Sequence, residues 1–134
     1  MQTRPTPVDL GLLVLRLFAG GTMAVSHGWG KLLGFAEHSA TFPDPFGMGS
    51  PVSMGLAVFA EVVCAALLVA GAFTRLAAVP LVITMVTAGF IVHGADPFAK
   101  KELAFAYLAM YLTLLGTGAG ALSVDARFRG KGRR

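Results

Sequence analysis

Arg16, His27 and Lys31 lie within the first of four long apolar stretches, and the next two stretches carry Glu61 and His93. A charged group at bilayer depth is costly and is kept where it has a partner or a task, so these side chains mark where chemistry is expected. A histidine and a glutamate in one cleft can exchange protons with a bound molecule, and a lysine beside them can hold an oxygen atom. Glu102 opens the fourth stretch and supplies a second carboxylate. Two histidines with Glu61 and Glu102 would also suit a hard metal, and His27 with His93 could ligate haem. Inward polar groups arise easily from structural pairing, however, so neither is favoured and no metal site is expected.

The elements that must position these groups follow from composition. Of the 134 residues 55% are hydrophobic and 13% charged, and the mean hydropathy is +0.71, outside the usual range for a soluble domain. About 20 apolar residues cross the hydrocarbon layer as a helix, and the sequence offers such runs at about 9–34, 52–72, 75–94 and 102–122. Val62 to Ala72 shows none of the alternation of a membrane β-strand. The first run is too long for a secretory signal and ends in Gly-Trp-Gly-Lys, so it is read as a retained span. The single Cys64 says nothing about redox compartment. The expected fold class is all-α: one integral membrane four-helix bundle over residues 1–134.

Positive charge sets the expected orientation. Arg4, Arg75, Arg127, Arg129, Lys131, Arg133 and Arg134 would share one side, against Lys31, Lys100 and Lys101 on the other. Both termini are therefore expected to be cytoplasmic. The basic tail 127–134 and the net charge of +4 need no nucleic-acid partner, because topology and anionic lipid account for them.

Helical phase at 100° per residue places Asp9, Arg16, Gly20, Met23, His27, Gly30, Lys31 and Gly34 on one stripe of the first helix. In the fourth, Glu102 aligns with Ala106, Ala109, Thr113, Gly116 and Gly120, with Tyr111 on the opposite side. Small residues allow close approach, so the Glu102 face is expected to be buried. With about 1.5 Å of rise per residue, His27, Lys31, Glu61, His93 and Glu102 gather in an outer-facing pocket, and Arg16 lies deeper with Asp9 below it. Glu61, His27 and His93 are its candidate catalytic groups, and Lys31 and Glu102 its binding groups. Phe42, Phe46 and Phe98, in links broken by prolines, would cover a ligand. Arg16 and Asp9 form a structural polar layer, and a buried Arg16–Glu61 ion pair is the plainer alternative. Ser123 and Asp125 are read as ending the last helix.

Leu15-Arg16-Leu17, Ser26-His27-Gly28-Trp29-Gly30-Lys31-Leu32, Ala60-Glu61, Gly71 to Ala78, Val92-His93-Gly94, Lys101-Glu102-Leu103-Ala104 and Gly118 to Asp125 occur in an order that resembles the DoxX family of small bacterial four-helix membrane proteins. The resemblance spans about 10–126 and departs at Val62-Val63-Cys64-Ala65-Ala66, where the family commonly has glycines. It implies a multi-pass protein of the bacterial inner membrane, a subunit of a redox complex linked to quinone, sulfur or oxidative-stress chemistry. Electrons would come from partner proteins, since the chain has no Rossmann fingerprint, CxxC or iron–sulfur spacing. No intrinsic cofactor is expected, and quinone is the ligand considered. The alternatives are an anchor or assembly factor for soluble redox enzymes and a transporter component, with homo-oligomerisation left open.

Overall fold

The computed structural model describes residues 4–132, and among these every regular element is helical. Four long helices run through them: α1 (Pro7–Leu33), α2 (Ser50–Ala70), α3 (Thr74–Val92) and α4 (Phe98–Thr117). The first three are long and apolar enough to cross a membrane. The 20-residue α4 begins with Lys100, Lys101 and Glu102, and these charges separate it from that group. A fifth helix, α5 (Val124–Lys131), follows where the sequence reads as a plain basic tail. Arg133 and Arg134, counted above for orientation, lie outside the described residues.

Local chemistry sets the helix ends. Thr6 and Asp9 form a capping box with Pro7 behind it, so α1 starts two residues before the first apolar run. The turn between α2 and α3 needs left-handed backbone at Gly71 (φ 69°) and, unusually, at Phe73 (φ 48°). At Gly118 (φ 75°) α4 stops, short of the expected 122, and the chain folds back through Gly120 (φ 79°) before Ser123 caps α5.

The helices pack in ring order, α1 on α2, α2 on α3, α3 on α4 and α4 on α1. Both ends of the described chain lie at one end of the bundle, where the Ala121 N–H donates to Asp9 Oδ1 at 2.7 Å. That end is called the terminal end below, and the other the link end. Between them Ala19, Met23, Ala65, Leu68, Leu81 and Leu114 are buried in one core.

A π-helical turn interrupts α1 at Met23–Gly28 and α2 at Phe59–Cys64, and a third ends α3 at Thr87–Val92. Such a turn inserts a residue and rotates everything after it by about 100°. Gly28, not Gly30, consequently takes up the buried stripe of Arg16, Ala19, Gly20 and Met23, and Gly30 is exposed. The expected burial of α4 is reversed. Tyr107, Tyr111 and Leu114 are buried, whereas Glu102, Ala106, Ala109, Thr113 and Gly116 are exposed. Tyrosine area and a hydroxyl needing a partner outweigh the close approach that small residues would allow.

Two glycines bring α1 against α2. A Cβ on Gly20 would lie 2.6 Å from the Ala65 carbonyl oxygen, and one on Gly28 would lie 2.7 Å from the Glu61 carbonyl. Neither obstacle is a flexible side chain, so alanine must force the helices apart. Gly28→Ala should destabilise the bundle by about 1–3 kcal/mol in detergent unfolding. Gly21→Ala, with nothing within 4 Å of the added atom, should be neutral or stabilising by about 0.5 kcal/mol. Equal effects of the two would refute the close contact.

Candidate functional site

The backbone contact at Gly28 carries Lys31, one turn further along α1, to the Glu61 side chain. Lys31 Nζ lies 2.6 Å from Oε1 and 2.7 Å from Oε2 of Glu61. The side chains are 33% and 3% exposed, so the carboxylate is sealed in and the ammonium reaches the surface. Glu61 itself sits inside the π turn of α2, and His27 inside that of α1. These two turns pack directly on one another.

Tyrosines from α4 complete the polar interior. Tyr107 meets the His27 ring edge-on at 5.7 Å and stacks on Tyr111 at 5.9 Å. Its hydroxyl donates to Thr22 Oγ1 at 2.8 Å, and the Tyr111 hydroxyl donates to the Ala19 carbonyl at 3.0 Å. Neither tyrosine was among the expected site residues. The available signal was a pair of tyrosines four apart deep in an apolar run, since a buried phenol demands a hydrogen-bond partner.

The other expected pocket residues are placed elsewhere. His93 Nδ1 lies 2.8 Å from Asp96 Oδ2 in the link between α3 and α4, and Lys101 Nζ donates to the Gly94 carbonyl there. The His93 hydrogen bond, with the charges of Lys100 and Lys101, holds the Asp96 carboxyl below the usual range. Glu102 is exposed on α4 because the buried tyrosine face turns it outward. Phe98 is exposed and stacks on Phe105, which meets Phe90 edge-on. Phe46 is exposed and Phe42 half-buried, so the three phenylalanines do not form one cover. Among the described residues no three His, Cys, Asp or Glu side chains converge in a metal-binding group.

Arg16 is fully buried and is not Glu61's partner. Its Nη1 donates to the Val69 carbonyl at 3.3 Å and Nη2 to the Leu122 carbonyl at 2.5 Å, with no carboxylate at ion-pair distance among the described residues. Together with the Asp9–Ala121 bond, this ties α1 to the segment after α4. Asp125 does not close the last helix either. Its carboxylate accepts the N–H groups of Phe73 at 2.7 Å and Thr74 at 3.0 Å, which fastens α5 to the turn between α2 and α3. Burial works to raise the Asp125 pKa, but these N–H donors outweigh it and hold the carboxyl low.

Asp44 does similar work at the link end. It accepts from Ser53 Oγ at 2.7 Å and from the N–H groups of Gly49 and Met48, closing the link onto the start of α2. The Ser53 hydroxyl, with those amides, holds its carboxyl below the ordinary range.

Two outcomes follow. Lys31→Met should cost about 3 kcal/mol, because it strands a buried carboxylate, and adding Glu61→Gln should restore much of that loss. An additive double mutant in detergent unfolding would refute the pair. Because the Asp44 pKa is lowered on folding, its contribution is complete above the ordinary aspartate value of about 3.9 and is lost as pH falls through the folded value. Hydrogen exchange at Met48 and Gly49, corrected for intrinsic rates, should show protection at about pH 5 that is gone near pH 2. Unchanged protection would count against the clasp.

Comparison with known proteins places this geometry in a family. A Haemophilus influenzae protein of uncharacterised function is 29% identical over 123 residues, covering 87% of this chain and 82% of its own length. No solved structure matches. The DoxX family model matches residues 11–94, more than half of the chain and the segment that carries Arg16, His27, Lys31, Glu61 and His93. The chain belongs to the DoxX family.

Proposed function

We propose that this chain is the membrane subunit of a redox complex and that Lys31, Glu61 and His27 exchange protons with a quinone or a similar small redox molecule. The observation that carries this reading is the Lys31–Glu61 pair, a carboxylate sealed between helices whose single ion-pair partner reaches the surface. Reducing a quinone requires two electrons and two protons. The electrons come from a cofactor on a partner protein. Lys31 and His27 stand as donors of one proton each toward the two ring oxygens, each then takes a proton back from water, and the Glu61 carboxylate holds Lys31 in its charged, donating form. Tyr107 positions His27 through the edge contact. In this reading α4 crosses the bilayer as a fourth span, and both termini face the cytoplasm of a bacterial cell, following the positive charges of the terminal end.

The anchor reading is favoured by a separate observation. Asp125 holds α5 rigidly on the α2–α3 turn, and Arg127, Arg129 and Lys131 are exposed along it as a surface that an acidic soluble enzyme could use.

One experiment separates the two. With the chain purified together with its native partners, quinone reduction should fall at least tenfold in Glu61→Gln and His27→Ala while the partners stay bound. Loss of residues 127–134 should leave the quinone step unchanged. If the pocket variants keep full activity and the truncation releases the partners, the anchor reading stands and the proton-exchange reading fails.

A further inference from the structure

A groove of about 450 Å³ runs between α2 and α3, with the buried Cys64 and Ala77 among the residues lining it. Its walls are apolar throughout, with Phe59, Leu67, Leu76, Val79 and Pro80 along them and Phe73 at its mouth. Phe59, Phe73, Leu76 and Val79 are all exposed. Pro80 has no N–H for the Leu76 carbonyl to accept, so α3 is locally unsupported where it forms one wall. From the level of Phe59 to the end of α2 the rise is about 17 Å, enough to bury most of one lipid chain alongside two membrane-crossing helices.

The mouth is positively charged. Phe73 lies at the terminal end, and its N–H is held by Asp125 of α5. Arg129 follows Asp125 by four residues, one turn further along α5 on the same face, and it is exposed. Arg127 and Lys131 are exposed on the same helix, and no carboxylate lies at ion-pair distance from any of the three among the described residues. An apolar slot that opens beside an exposed guanidinium matches a molecule with an acyl chain and an anionic head.

We propose that the groove between α2 and α3 binds one acyl chain of an anionic phospholipid, with Arg129 as the contact for the headgroup phosphate. The groove lies between α2 and α3 and the proton-exchanging groups between α1 and α2, although Phe59 at its far end belongs to the π turn that carries Glu61. The Asp125 bonds to the Phe73 and Thr74 amides then have a further consequence, because they set the distance between the guanidinium and the groove mouth.

Native mass spectrometry of the full chain in detergent tests this, with dioleoyl phosphatidylglycerol or dioleoyl phosphatidylethanolamine added at equal concentration. One phosphatidylglycerol should be retained in preference to phosphatidylethanolamine. Arg129→Gln should lower that retention about fivefold, the scale of one basic residue at a charged membrane surface. Arg4→Gln, which removes the same charge elsewhere at the terminal end, should have little effect. Val79→Phe should fill the groove and abolish retention of the lipid, and the exposed Leu76→Phe serves if that variant does not fold. Equal retention of the two lipids, equal effects of Arg129→Gln and Arg4→Gln, retention that survives filling of the groove, or a bound quinone that phosphatidylglycerol does not displace would each overturn the proposal.

Discussion

The contact on which the rest of the structure depends is the seating of Gly28 on the Glu61 backbone. In a bilayer, burying apolar surface gives helices no advantage over lipid contact, so association rests on close packing and on polar groups that satisfy one another. Gly20 and Gly28 supply the first, since any Cβ at either position would meet the α2 backbone below 3 Å. Lys31 and Glu61 supply the second. The two are not separable. The lysine reaches the carboxylate because the glycine removes the bulk that would hold the helices apart, and the carboxylate tolerates burial because the lysine arrives.

The two ends of the bundle handle charge by different means. Toward the link end a cation meets an anion directly. At the terminal end the fully buried Arg16 is held by carbonyls from two segments that would otherwise have unpaired backbone there, Val69 at the end of α2 and Leu122 ahead of α5. A Cβ on Gly71 would lie 2.6 Å from Ser123 Cβ as well as against the Arg16 guanidinium, so glycine is required at that turn by its left-handed φ and again by the Ser123 side chain beside it. Asp125 gives its carboxylate oxygens to the amides of the same turn. Arg16 and Asp9 behave as the expected structural layer, with backbone and not Glu61 as the arginine's counterpart.

Membrane character, the helical class and the positions of the four long helices were legible from hydropathy and turn residues, because both signals are local. Errors arose where one residue of register mattered. A constant 100° per residue placed Gly20, Met23 and Arg16 correctly on α1 and then failed at Gly30, since nothing in Met-Ala-Val-Ser-His-Gly announces a π turn. On α4 the small residues and the tyrosines made competing claims on the interior. Hydrogen bonding decided it, for the Tyr107 and Tyr111 hydroxyls found Thr22 and the Ala19 carbonyl on a helix some 90 residues earlier in the chain. Helical phase and depth together put His93 and Glu102 in the expected pocket. Depth says nothing of local partners, and Asp96, three residues from His93, was the nearer one.

These placements narrow where chemistry can occur. Of the ionisable groups within the first three helices, Arg16, Asp9 and Arg75 are committed to backbone groups and the Cys64 thiol is buried, leaving Lys31, Glu61 and His27 on or beside the two packed π turns. Glu61 is sealed, and of the pair only Lys31, whose side chain is one-third exposed, reaches the surface. His27 is half-buried against Tyr107 and borders the same turn from the α4 side. A π turn frees carbonyls from regular i to i+4 pairing and widens the helix locally, which is a reason such turns recur at functional sites. Two of them pack together, each carrying a titratable side chain, at the level where the one buried ion pair among the described residues sits. A bundle that needed only to hold its helices together could do so with the glycine contacts and the Arg16 layer, and the Lys31–Glu61 pair with its two π turns is what that structural requirement leaves unexplained.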